Sequence, residues 1–121
     1  MSVVDHLKQI AVDDGVMAVA LLSDDGFVIE SIRKEGAADI DFVGGAATAA
    51  MASSRALADH MQKGQVKEVM VEYDEGPLLM VPLSAGGSDY TLVMLLDDVQ
   101  NLGRVRFQLK KTRAALEEEL S

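Results

Sequence analysis

The feature that most constrains this sequence is a set of three short, almost uninterrupted apolar runs. Residues 16–22, 77–83 and 90–96 each span seven positions and hold almost no polar side chain. Runs of this length, bounded by turn residues, are typical of strands that are covered on both faces. The three runs therefore predict the central strands of one sheet, with helices packed against both of its sides.

Two further segments complete the predicted sheet. Asp25-Gly26 is a hairpin signal, and residues 27–33 return after it as a second strand. Residues 66–73 also have strand character, but they carry three charged side chains, which are Lys67, Glu68 and Glu72. Charges of this kind are typical of an edge strand. We therefore expect five strands, of which the one at 66–73 lies at an edge.

Three helices are predicted from the 3.6-residue periodicity. They cover residues 2–13, with Ser2 as the cap, residues 40–63, and residues 101–120. Asp39 or Asp41 is the expected cap of the second helix, and Lys63-Gly64 is its expected end. The predicted order is α-β-β-α-β-β-β-α, an α/β (α+β) fold in which three helices sandwich a five-stranded antiparallel sheet. A chain of 121 residues has the size of one domain, spanning 1–121.

Charge and composition exclude several classes of function. Twenty acidic residues against 11 basic ones give a net charge of -9, which disfavours nucleic acid and anionic membrane surfaces as partners. The absence of cysteine excludes disulfides and thiolate metal sites. Neither a signal peptide nor an apolar stretch of about 18 residues is present, so we expect a cytoplasmic protein.

The second helix carries two stripes. The first is predicted to pack on the sheet and contains Val43, Ala47, Ala50, Ser54, Leu57 and Met61. The opposite stripe contains only small residues, namely Gly45, Ala49, Ala52 and Ala56. Alanine is a good helix former, so such a stripe can arise without any partner. Gly44 and Gly45, however, each cost a helix about 1 kcal/mol relative to alanine, which favours a functional reason for the smooth face.

A two-fold homodimer is one such reason, because small residues let a second helix approach closely. The exposed edge at residues 66–73 supports the same interpretation, since its backbone can pair with a second copy. Val69 and Val71 are the predicted contacts on this strand. The alternative is a monomer whose edge is protected by its charges.

No arrangement of residues indicates catalysis. The sequence contains no Gly-rich phosphate loop, nucleophile–base pair or metal-ligand spacing, so we predict neither a metal nor a cofactor. His6 and His60 are predicted to be surface residues. Four arginines are available to act on a phosphate in trans, and salt bridges to the acidic surface explain them equally well; they are Arg55, Arg104, Arg106 and Arg113.

Four segments, in order along almost the whole chain, resemble Roadblock/dynein light chain domains. Residues 15–29 resemble the first hairpin of these domains, and residues 54–58, Ser-Arg-Ala-Leu-Ala, resemble the end of their central helix. Residues 75–83 resemble their fourth strand and the turn before it. Residues 101–111, which begin Asn-Leu-Gly-Arg-Val-Arg, resemble the start of the last helix in bacterial members, including the MglB type.

The resemblance implies an architecture similar to that of longin and profilin, and dimerisation through the central helix and the third strand. It also implies a small Ras-like GTPase as a partner, since MglB-type dimers stimulate GTP hydrolysis without inserting an arginine finger. We predict that Thr48, Arg55 and Asp59 contact that partner. The alternatives are an adaptor or scaffold subunit without a GTPase partner and, with less support, a small-molecule sensor.

Overall fold

The computed structural model describes all residues from Met1 to Ser121 and has the predicted element order. The helices are α1 (Val3–Ala11), α2 (Gly44–Met61) and α3 (Leu102–Glu119), and a short 3-10 helix covers Ile40–Phe42. The strands are β1 (Val16–Ser23), β2 (Val28–Arg33), β3 (Val69–Tyr73), β4 (Gly76–Ala85) and β5 (Ser88–Leu96). The predicted α+β fold class is therefore confirmed.

All five strands form one antiparallel sheet with the order β2-β1-β5-β4-β3. The three central strands are β1, β5 and β4, which correspond to the three apolar runs. β3 lies at one edge, as its charges indicate, and β2 lies at the other. The sheet prediction is thus confirmed in its strand count and in the placement of its central strands.

Alternation along the central strands divides the core into two clusters, one on each face of the sheet. On one face, α1 and α3 cover a cluster that includes Leu7, Leu92 and Leu116. On the other face, α2 and the 3-10 helix cover a smaller cluster that includes Met51 and Met80. One long helix thus protects a face that is as wide as the one protected by two helices.

A pair of hydrogen bonds between a side chain and the backbone fixes the start of α1. Ser2 caps α1, because its hydroxyl accepts a hydrogen bond from the Asp5 backbone amide at 3.3 Å while the Asp5 carboxylate accepts one from the Ser2 amide at 3.0 Å. These bonds to Ser2 lower the pKa of Asp5. The cap predicted at Ser2 is therefore confirmed.

The predicted ends of the second helix were wrong. Asp39 caps the 3-10 helix through the Asp41 amide, and α2 starts after Val43 with no side-chain cap. At the other end, α2 already stops at Met61, because the following Gln62 adopts the left-handed conformation with φ of 54°. Val43 separates the two helical segments: its amide donates to the Ile40 carbonyl of the 3-10 helix, and its carbonyl accepts from the Ala47 amide of α2.

None of the three helices combines the length and the apolar character that crossing a membrane requires.

Candidate functional site

The most informative surface of the molecule surrounds α2, which is the only long helix on its face of the sheet. Four of its residues are buried, and they are Gly44, Ala47, Met51 and Ala58. The buried side is therefore centred near Ala47 and Met51. The helix meets the first hairpin very closely, because an added Cβ at Gly44 would collide with the Gly26 carbonyl oxygen.

This orientation differs from the predicted one. Ala47 is buried and Val43, Ala50 and Ser54 are half-buried, as expected, but Leu57 is 60% exposed and Met61 is 57% exposed. The helix is rotated because the Gly26–Gly44 contact brings the side containing Met51 onto the sheet. Periodicity alone does not reveal this contact, since it joins two distant glycines.

The small-residue stripe of α2 faces away from the sheet. Gly45, Ala49, Ala52 and Ala56 are all exposed in the isolated chain. On the same face of the molecule, Val69 and Val71 of β3 are half-buried and pack at the margin of the second core cluster. Several neighbours on this margin are also only half-buried, namely Val66, Leu78 and Leu95.

Leu57, Met61 and these half-buried residues define what we call the open apolar face. It consists of exposed side chains of α2 and half-buried side chains on and around the edge strand β3. Large apolar side chains scattered singly need no explanation, but a continuous apolar region beside an unpaired sheet edge is typical of an interaction surface.

The three predicted partner contacts lie on a polar side of α2. Arg55 and Asp59 line a cleft of about 330 Å³ together with Asp89 and Arg113. Thr48 and Arg55 line a smaller neighbouring depression, and the buried Thr48 hydroxyl has no hydrogen-bond partner. The structure thus brings Arg55 close to both of the other two predicted residues.

The remaining arginines form ion pairs, which is the alternative that the sequence leaves open for them. Arg104 pairs with Asp13 at 2.7 Å, Arg106 pairs with Glu68 at 2.6 Å, and Arg113 lies 3.7 Å from Glu117. Hydrogen bonding to the carboxylates raises the pKa of both Arg104 and Arg106. Arg104 and Arg106 thus connect α3 to other parts of the chain, whereas the partner of Arg113 lies on the same helix.

Sequence reasoning missed the partners of these arginines. Asp13 falls within the range predicted for the first helix, but it is buried in the turn before Gly15, whose amide donates to its carboxylate at 2.9 Å. The Asp-x-Gly pattern is a turn signal that could have located it. Glu68 precedes β3, and no local pattern predicts its contact with α3.

The two histidines differ in environment. His60 is exposed, as predicted, whereas the surface prediction for His6 was wrong, because its side chain is buried between α1 and α3 with Nε2 3.4 Å from a Glu119 oxygen. The structure contains no group of three or more side chains arranged to hold a metal ion.

Comparisons with known proteins agree with this architecture. The Roadblock/LC7 domain family matches residues 3–96. The structure of MglB from Myxococcus xanthus is similar with a TM-score of 0.82 at 21% identity, over 96% of this chain and 92% of that chain. A Roadblock/LC7 domain from Streptomyces avermitilis gives a TM-score of 0.83 at 17% identity, over 99% and 98%.

MglC from Myxococcus xanthus is similar with a TM-score of 0.67 at 28% identity, over 99% of this chain and 100% of that chain. No curated protein sequence matches significantly. Because the family match extends from the first helix through the last strand, this chain belongs to the Roadblock/LC7 domain family.

Proposed function

We propose that this protein is a non-catalytic homodimeric platform that binds a small Ras-like GTPase and regulates it. The observation that carries the proposal is the open apolar face, whose side chains belong to α2 and to the surroundings of the unpaired edge strand β3. A neighbouring structure described as MglB with a tetrameric arrangement supports assembly in this family. The GTPase is proposed from the family resemblance to MglB.

The proposed dimer pairs β3 with its copy and packs the two α2 helices against each other. Pairing satisfies the free backbone groups of an edge strand and continues the sheet into the second subunit. Val69 and Val71 then lie at the subunit boundary. On α2, the stripe containing Gly45, Ala49, Ala52 and Ala56 allows close approach, and Leu57 and Met61 supply apolar area that leaves water.

The proposed GTPase surface is the polar side of α2. Thr48, Arg55 and Asp59 offer a hydroxyl, a cation and an anion along one helix side. None of the three makes a side-chain hydrogen bond or ion pair within the chain. A dimer presents two copies of this surface, so that one G domain can contact both subunits.

The test combines a mass measurement with a GTPase assay. We expect the purified chain to have twice its 13.0 kDa mass in light scattering. We also expect it to co-elute with a Ras-like GTPase from the same organism, loaded with a non-hydrolysable GTP analogue, and to alter that enzyme's rate of GTP hydrolysis. Arg55→Ala with Asp59→Ala should weaken the complex while leaving the dimer intact.

Two outcomes count against the proposal. A monomer of 13.0 kDa at micromolar concentration excludes the platform. A stable dimer that neither binds nor affects any Ras-like GTPase of the organism supports the alternative of an adaptor subunit.

A further inference from the structure

A second exposed apolar region lies at the opposite edge of the sheet, and the proposed dimer does not use it. Phe27 is 72% exposed, Phe42 is 86% exposed and Ile29 is 41% exposed. The third phenylalanine, Phe107, is also exposed at 62%, but the Lys111 ammonium lies 4.7 Å from its ring centre. We call Phe27, Ile29 and Phe42 the β2-edge patch.

The backbone around this patch is held in place. The segment that contains Phe42 is tied to β2 at one end, because the Ser31 hydroxyl donates to the Asp41 carboxylate at 2.8 Å. At the other end, Gly44 packs closely against the Gly26 carbonyl. Phe42 lies between these two contacts in the chain, and their other partners, Gly26 and Ser31, flank Phe27 and Ile29. The segments that carry these three exposed side chains are therefore neighbours at the β2 edge of the sheet.

Packing of the core does not explain why Phe27, Ile29 and Phe42 are exposed. Val28 and Val43, which are the sequence neighbours of Phe27 and Phe42, pack on the second core cluster and fix the backbone there. Large aromatic side chains in water contribute little to stability, whereas rigid exposed aromatics are typical anchors of protein–protein contacts. The patch is thus available for a partner without any rearrangement of the core.

Charge defines the partner that fits. Residues 24–42 hold six acidic side chains and two basic ones. Both basic groups are engaged within the chain, because Arg33 lies 3.8 Å from Asp39 and the Lys34 ammonium donates to the Asp13 carbonyl at 2.7 Å. The rim of the patch is therefore strongly acidic. A second copy of this chain would bring like charges together, so self-association at this edge is disfavoured.

The backbone indicates how the contact is made. The pairing of β1 with β2 shifts register between Leu21 and Leu22, since Leu21 pairs with Glu30 and Leu22 pairs with Val28, which leaves Ile29 as an extra residue in the edge strand. Such bulges protect an edge against the addition of another strand. Contact through side chains is the mode that this edge allows.

We propose that the β2-edge patch binds a basic amphipathic segment of a partner protein. Its large apolar side chains pack against Phe27, Ile29 and Phe42, while its lysines and arginines meet the surrounding carboxylates. The site lies at the edge of the sheet opposite β3, so it is independent of the proposed dimer.

A random dodecapeptide library displayed on phage provides the probe. The library is selected on the native chain after depletion on the double variant Phe27→Ser, Phe42→Ser. We expect the enriched peptides to be net positive and to contain at least two large apolar residues. Fluorescence anisotropy of one enriched peptide should show at least a tenfold loss of affinity for the double variant, and weaker binding at high salt.

Phe107→Ser is the matched control, because it removes an equally large exposed aromatic from another surface and should leave peptide binding unchanged. Enrichment of acidic or neutral peptides, no enrichment over the double variant, or an equal loss in Phe107→Ser would each overturn the proposal. The double variant should keep its melting temperature and its mass, so that failure here is distinguishable from failure of the proposed platform.

Discussion

Arg104, in the first turn of α3, donates two hydrogen bonds to Asp13, which lies in the turn between α1 and β1. The bonds join Nε to Oδ2 at 2.7 Å and Nη2 to Oδ1 at 2.9 Å. The Asp13 side chain is only 3% exposed, and it also accepts a bond from the Gly15 amide. One carboxylate thus connects the first helix, the first strand and the last helix.

Asp13→Asn should destabilise the protein in a pH-dependent way. The hydrogen bonds from Arg104 and Gly15 hold the pKa of Asp13 below its ordinary value, although burial acts in the opposite direction. Because the folded pKa is lowered, the stabilisation is fully present above the unfolded value of about 3.9 and is lost as the pH falls through the folded pKa. We expect a loss of about 1–3 kcal/mol in the free energy of unfolding at neutral pH.

Urea denaturation at pH near 7 and again well below pH 4 measures this difference. The difference in the free energy of unfolding between the native chain and Asp13→Asn should become smaller in acid. Asp14→Asn is the matched control, since Asp14 is exposed and is the next residue in the chain. An equal gap at both pH values, or an equal effect of Asp14→Asn, would contradict the assigned role of Asp13.

Gly44 and Gly45 are neighbours for which we predict opposite effects of alanine. A Cβ at Gly44 would collide with the Gly26 carbonyl, whereas a Cβ at Gly45 has nothing within 4 Å. Gly44→Ala should therefore cost about 1–3 kcal/mol through forced backbone shifts. Gly45→Ala should stabilise the helix by about 0.5–1 kcal/mol. Thermal denaturation of both variants measures the effects, and a Gly44→Ala variant that is as stable as the native chain would refute the assigned contact.

Gly44 also illustrates which features of the fold could be predicted from the sequence and which could not. The apolar runs that became β1, β4 and β5 predicted the sheet because strands buried on both faces have a composition that is visible locally. The rotation of α2 was not predictable, because it depends on the approach of Gly44 to Gly26, two residues far apart in the chain. As a result, Leu57 and Met61 were expected in the core, and the structure exposes them.

The site residues show the same limit. The exposure of Gly45, Ala49, Ala52 and Ala56 followed from periodicity, since they lie opposite an apolar stripe even after the helix is rotated. The exposure of Phe27 and Phe42 did not follow from any pattern. Phenylalanine is usually buried, and only the tertiary structure shows that these side chains point outward.

Arg106 connects α3 to the segment that leads into β3, the strand of the proposed dimer edge. Its Nη2 and Nε atoms donate to Glu68 at 2.6 Å and 3.0 Å. Arg106→Met should free this segment and increase amide hydrogen exchange between residues 66 and 71. Arg113→Met is the control, because the nearest carboxylate to Arg113 lies on the same helix at 3.7 Å. Unchanged exchange in Arg106→Met would show that Glu68 does not anchor the strand.

The dimer itself is tested by placing charge on exposed positions of α2. Ala49→Glu, Ala52→Glu and Leu57→Glu each change a residue that is exposed in one chain, so the fold should tolerate them. At a subunit boundary, burying an unpaired carboxylate costs several kcal/mol. Since about 1.4 kcal/mol corresponds to a tenfold change in the dissociation constant, we expect the two subunits to associate at least a hundredfold more weakly.

Light scattering should then give 13.0 kDa for these variants and twice that mass for the native chain. Phe107→Glu places the same charge at an exposed position of α3, outside the proposed contact, and should leave the dimer intact. If Leu57→Glu alone dissociates the dimer, the helices pack through the open apolar face and the small-residue stripe is free for another partner. If none of the three changes the mass of a native dimer, α2 does not form the interface, because a helix pressed against its copy cannot accept a buried carboxylate at all three positions.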